Sequence, residues 1–129
     1  MRYAFLLALP IAVLGAQPAA PQPVAVVNVR LSSFNFAPKT IVLDHGKSYV
    51  LRLTNASKDG HDFTAFAFFE ASRISPADRS MVMEGEVEVQ PGTTREIHLT
   101  APGAPGRYKL KCSHSFHKMF GMSGTIVVR

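Results

Sequence analysis

Short runs of alternating apolar and polar residues recur along nearly the whole chain, and this period of two restricts the fold more than any other feature. In the run from Val24 to Leu31, Val27, Val29 and Leu31 share one face, with Asn28 and Arg30 on the other. Tyr49, Leu51 and Leu53 share a face, and Arg52 opposes them. Val87 and Val89 alternate with Glu86 and Glu88, and Ile97 and Leu99 with Glu96 and His98. Tyr108, Leu110 and Cys112 alternate with Lys109 and Lys111, and Ile126 and Val128 close the series. Turn signals separate the runs at Asp44-His45-Gly46, Asn55 to Gly60, Pro91-Gly92 and Ala101 to Gly106. Half-buried strands with such punctuation predict an all-β fold, an antiparallel Greek-key β-sandwich of seven to eight strands. Residues 68–83 break the rhythm. There Phe68 to Arg73 suits a helical turn, and Ser75-Pro76 suits a helix start with proline in the first turn. Phe63, Phe66, Phe68 and Phe69 are expected in the core.

The amino terminus does not belong to that domain. Arg2 precedes an apolar run from Ala4 to Leu14, followed by Gly15 and Ala16. Such a run is too short to span a bilayer and reads as a secretory signal peptide over residues 1–16, cut after Ala16 or as late as Ala20. Residues 17–23 form a Pro/Ala-rich tether, and 24–129 the domain. The chain is therefore expected to be exported, periplasmic or secreted, without a stable membrane anchor. With 129 residues it has room for one core. Its net charge of +5 comes from lysines and arginines scattered singly along strands. A nucleic-acid binder would gather them on one element beside stacking aromatics, so no nucleic acid is expected. The excess suits an acidic protein partner or an anionic surface.

A single cysteine, Cys112, is unusual in an exported chain, where thiols are normally oxidised in pairs. It would pair between molecules, lie buried and inert, or hold a metal. The segment Cys112-Ser-His-Ser-Phe-His117-Lys-Met-Phe-Gly-Met122 puts a thiolate, imidazoles and a thioether on one loop after a strand whose parity turns Cys112 inward. Soft sulfur with imidazole selects copper, and two His and one Cys with a weak axial Met make an electron-transfer site. His61 supplies the second imidazole: it follows a turn and shares parity with Phe63 and Ala65. The competing reading is a sandwich in which Cys112 and Met122 only fill the core.

The spacing Cys-x4-His-x4-Met, then x-Gly, resembles the ligand loop of the cupredoxin family, the blue type 1 copper proteins of plastocyanin and azurin type. Phe36-x-Pro38-x-x-Ile41-x-Leu43-x-x-Gly46, then Asn55 to Gly60-His61-x-Phe63, resemble the family's approach to its first histidine, and Tyr108-x-x-x-Cys112 its strand into the copper loop. The similarity spans roughly residues 24 to 129. It implies one type 1 copper ion held by His61, Cys112, His117 and Met122. It also implies that Asp62, where the family commonly has Asn, and Ser113 link the two ligand loops by a hydrogen bond. The loop lacks the proline that family members often carry between Cys and His. His114 stands there as an exposed loop residue, a hydrogen bonder to a ligand, or an alternative ligand. Met119 competes with Met122 for the axial role, or joins Phe116 and Phe120 in an apolar collar around His117. Met81 and Met83 read as core fillers or weak Cu(I) donors, His98 as surface, and His45 as a turn residue.

The expected function is single-electron transfer between redox partner proteins by a monomer cycling Cu(I) and Cu(II). The alternative is copper handling (tolerance, storage or delivery) on the same fold. An enzyme is not expected. Trinuclear oxidases carry His-Cys-His at this loop, whereas Cys112 is flanked by Lys111 and Ser113, and the chain has no His-x-His pair. No motif surrounds Cys112 to make it a hydrolytic nucleophile.

Overall fold

The computed structural model describes residues 10–20, 23–114 and 119–129. Among the described residues, ten strands form two five-stranded sheets. One sheet contains β1 (Ala25–Ser32), β2 (Asn35–Ala37), β4 (Ser48–Asn55), β6 (Arg73–Ile74) and β8 (Thr94–Thr100), in the order β2-β1-β4-β8-β6. The other contains β3 (Thr40–Leu43), β5 (His61–Thr64), β7 (Glu86–Val89), β9 (Gly106–Lys111) and β10 (Ser123–Val128), in the order β3-β10-β9-β5-β7. Val29, Leu31, Leu51, Leu53 and Ile97 from the first sheet are buried with Ile41, Phe63, Val87, Leu110 and Ile126 from the second. Alternation thus assigned the inward faces correctly, because every second side chain on a strand points the same way. The two apolar faces make a β-sandwich.

Two features of the strand pattern differ from expectation. The described residues form ten strands instead of seven or eight, since β2 and β6 have only three and two residues, too few to show a period. The sheets are mixed: β1 pairs in parallel with β4, and β3 with β10. Strands adjacent in sequence often lie in opposite sheets, so alternation reveals a strand's face but not its neighbour.

The excursion over 68–83 contains a short helix α1 (Phe66–Ala71), then β6, then a 3₁₀ turn at Pro76–Met81 with proline in its first turn. Phe68 and Phe69 are buried as expected, whereas Phe66 is exposed, because it opens the helix on the solvent side. Met81 packs against the core, but Met83 is exposed in the tight turn into β7. That turn needs Gly85: its φ is +73°, and an added Cβ would lie 2.5 Å from the Phe66 Cα. Gly124 is equally constrained, since a Cβ there would lie 2.6 Å from the Lys39 carbonyl oxygen.

Asp78, buried in the 3₁₀ turn, fastens it to β8. Its Oδ2 accepts from the His98 backbone N–H at 2.7 Å and lies 2.8 Å from His98 Nδ1. The backbone N–H of His98 is the main reason its carboxyl titrates below the usual range; burial opposes this, and the imidazole adds to it. A depressed carboxylate stabilises the fold above its unfolded-state pKa and loses that effect as pH falls through the native value. Asp78→Asn should therefore cost about 1–2 kcal/mol at neutral pH. Its deficit against the parent should shrink below about pH 4 in denaturant melts. A deficit that stays constant into acid would show that charge has no part in the contact.

Candidate metal centre

The loops at one end of the sandwich bring together residues about fifty positions apart in sequence. β5 and β9 pair through Thr64 and Lys111 in antiparallel register. One step beyond that pair, the chain after β9 lies against the start of β5. The Asp62 backbone N–H points at Cys112 Sγ from 3.5 Å, and the Cys112 N–H donates to the Met122 carbonyl at 3.1 Å. His61, Cys112 and Met122 are all buried, at 0%, 0% and 1% exposure. Met119, the rival axial donor, is 77% exposed, and Phe120 stacks on Phe34 with ring centroids 4.8 Å apart. His117 and Phe116 lie outside the described residues.

Asn55, wholly buried at the end of β4, shapes the turn that delivers His61. Its Nδ2 donates to the carbonyls of Asp59 at 2.7 Å and Val89 at 2.9 Å. Its Oδ1 accepts from the Ser57 N–H at 2.9 Å and the Ser57 hydroxyl at 2.7 Å. Val89 is the register partner of His61, so one amide fixes the turn and anchors it to β7.

Asp62 ties the two loops together. Polar and out of phase with His61 and Phe63, it is nevertheless fully buried, because the segment after Cys112 covers that face. Its Oδ1 accepts from the Ser113 N–H at 2.8 Å and the Thr64 hydroxyl at 2.7 Å, and its Oδ2 accepts from the Ser113 hydroxyl at 2.6 Å. The loop-to-loop link between Asp62 and Ser113 is present.

His114 is half-buried and hydrogen-bonded. Its Nε2 lies 3.1 Å from Glu88 Oε2 and 3.6 Å from Asp62 Oδ2. A ring nitrogen of His114, a carboxylate oxygen of Asp62 and Cys112 Sγ lie within 4.8 Å of one another. The contacts with Glu88 and Asp62 were not legible in the sequence, since Glu88 meets Asp62 through the β5–β7 pairing and His114 reaches both because β9 lies beside β5. His45 lies in its turn, with Nδ1 2.9 Å from the Arg129 carbonyl oxygen.

Burial pushes the Cys112 thiol up, more than the N–H groups of Asp62 and His114 pull it down; the charges of Asp62 and Glu88 add to the rise. A cation on the sulfur would therefore have to displace a proton. The donor chemistry fits a soft or borderline metal: a buried thiol, a buried imidazole and a buried thioether stand at one end of a rigid sandwich.

Residues 4–128 match the family model of the cupredoxin-like domain. The chain belongs to the cupredoxin-like family. No curated protein matches it in sequence. Among solved structures, it is similar to a dithionite-reduced auracyanin from Roseiflexus castenholzii, at 19% identity and a TM-score of 0.60 over 81% of this chain and 97% of that one. It is also similar to auracyanin A from Chloroflexus aurantiacus, described as a "blue" copper protein, at 15% identity and TM-score 0.58 over 83% and 100%. The McoA multicopper oxidase of Aquifex aeolicus matches at 15% identity and TM-score 0.64, over 88% of this chain but only 31% of the oxidase. At these identities the likeness establishes the shared fold. Among the described residues, no helix is long and apolar enough to cross a membrane.

Proposed function

We propose that this cupredoxin is an exported electron carrier that binds one type 1 copper ion through His61, Cys112, His117 and Met122. The observation that carries the proposal is the buried Cys112 sulfur facing the Asp62 N–H, with His61 next in the chain and Met122 bonded to the cysteine backbone. When bound, copper would supply a single exchangeable electron between Cu(I) and Cu(II). The protein's part is to hold the donors still. Hydrogen bonds from Asn55 and Asp62 restrain both loops, so little would rearrange when the charge changes. Partners would be redox proteins with acidic docking surfaces, given the basic net charge.

The test is a visible spectrum and redox titration of the Cu(II)-loaded chain. An intense thiolate-to-copper band and a reversible one-electron couple are expected; a pale spectrum would dismiss type 1 geometry.

Copper handling is the second reading, and the cluster of His114, Asp62 and Cys112 favours it by offering further donors beside the sulfur. Rapid release of Cu(I) to a chelator would support handling, and slow release the carrier. Oxidase chemistry has less support: Lys111 and Ser113 flank the cysteine, and the chain spans under a third of the multicopper oxidase it resembles.

Asp62 sets a further expectation. Its carboxylate contributes negative charge beside the sulfur and so favours Cu(II). In Asp62→Asn the new amide can still accept the Ser113 N–H and donate to the Ser113 hydroxyl, whose own proton can turn to Glu86 Oε2, 3.1 Å away. Geometry is kept and one charge is lost. A unit charge several ångströms away, in an effective dielectric near 20, amounts to on the order of 2 kcal/mol, so the reduction potential should rise by tens of millivolts. An unchanged or lower potential in redox titration contradicts this.

A further inference from the structure

At the end of the sandwich away from His61, an open cavity of about 750 Å³ runs beside β6 and the 3₁₀ turn. Ser48, in its wall, and Asn55, beside the candidate metal centre, are the two ends of β4. Seven steps of strand separate them, roughly 23 Å. The cavity's accessible apolar floor comes from Val24, Ile74, Pro76 and Val82, whereas Tyr49 and Leu99 are almost wholly buried in the core. Its rim carries Arg73, Arg79 and His98, and none of its lining residues is acidic. Elsewhere the described arginines include paired ones, Arg52 with Glu96 at 2.7 Å and Arg129 with Asp44 at 3.1 Å. Arg73 and Arg79 have no carboxylate partner among the described residues. Asp78, next to Arg79 in sequence, is buried and engaged by His98.

We propose that this groove binds a small organic carboxylate with an apolar body, its carboxylate held by Arg73 and Arg79 and its body laid over Val24, Ile74 and Val82. The volume is that of a small-molecule site, and such sites are largely apolar with a few placed polar groups. Two guanidiniums suit a carboxylate, because each presents a planar fork of donors. Inorganic anions offer nothing to the apolar floor. This inference does not depend on copper, since ligand and metal would occupy opposite ends of the domain.

The experiment titrates the full chain with octanoate, followed by amide NMR shifts, with inorganic phosphate and an oligoglutamate peptide as comparison probes. Saturable octanoate binding is expected, with shifts centred on Arg73, Ile74 and His98 and none at Cys112. Arg73→Gln and Arg79→Gln should each weaken it ten-fold or more, while Arg107→Gln, on β9 and outside the groove, should leave it unchanged. The proposal is overturned by an absence of saturation at millimolar octanoate or by equal weakening in all three variants. It is also overturned if phosphate or oligoglutamate binds as tightly as octanoate, because attraction to net charge would then suffice. Because the readout is a shift map of a folded chain, a failure here leaves the copper reading intact, and the reverse also holds.

Discussion

Cys112→Ser should abolish the visible thiolate-to-copper band completely and weaken copper binding by several orders of magnitude, while the domain stays folded. Serine replaces a polarizable sulfur with a hard, poorly acidic hydroxyl, which is not a donor that copper selects beside imidazole. The side chain is wholly buried, so the substitution also places a hydroxyl among apolar neighbours. That costs about 1–3 kcal/mol when no partner is gained, but the Asp62 N–H that faced the sulfur can serve the new oxygen. The expected variant is thus folded, colourless and somewhat less stable. Spectra and thermal melts on the same samples separate the two effects. A band that survives the substitution would remove Cys112 from the ligand set, and with it the type 1 assignment. A variant that fails to fold would be replaced by Cys112→Ala, which adds no polar atom to the core.

The burial of Cys112 and His61 was legible because it follows from strand parity. Cys112 continues the inward face of Tyr108 and Leu110, His61 the inward face of Phe63, and both are buried. What sequence could not give was the arrangement perpendicular to the strands. The meeting of β5 with β9 depends on how often the chain passes between sheets, and no local pattern encodes that. The same limitation hid the two parallel pairs and the contact of Glu88 with His114. His117, the remaining donor of the expected set, lies outside the described residues.

The polar residues were harder to read than the apolar ones. Alternation put His98 on the surface, and for Asp62 only the family resemblance, with its link to Ser113, pointed to a role. Asp62 is buried because a loop fifty residues later covers it, and His98 is half-exposed yet bound to Asp78 from twenty residues earlier. Burial of a charged side chain requires compensation by hydrogen bonds, and those partners come from distant segments that period two does not report. Phe66 fails in the opposite sense. Hydrophobicity predicted burial, but the first position of a six-residue helix turned it outward.

Asn55→Ala should be the most damaging of the polar substitutions, lowering stability by about 2–4 kcal/mol and loosening the candidate metal centre at the same time. The amide side chain makes four hydrogen bonds from a fully buried position, two given and two accepted. Alanine removes them all and leaves the Val89 carbonyl, in the interior, without its amide donor. Ser57 keeps a contact with Asp59 through its hydroxyl, at 3.1 Å, so the turn retains one internal tie and need not unravel. Asn55→Asp is the sharper comparison. It preserves shape and both accepted bonds, but replaces the donating amide with a carboxylate oxygen facing two carbonyls. If donation to Asp59 and Val89 matters most, Asp should be as damaging as Ala in denaturant melts at neutral pH and should recover as acid protonates it. The two variants should also release copper faster than the parent, since the turn they loosen carries His61. An alanine variant within about 0.5 kcal/mol of the parent would mean that the strands hold the turn without the amide, because changes of that size are typical of uninvolved surface sites.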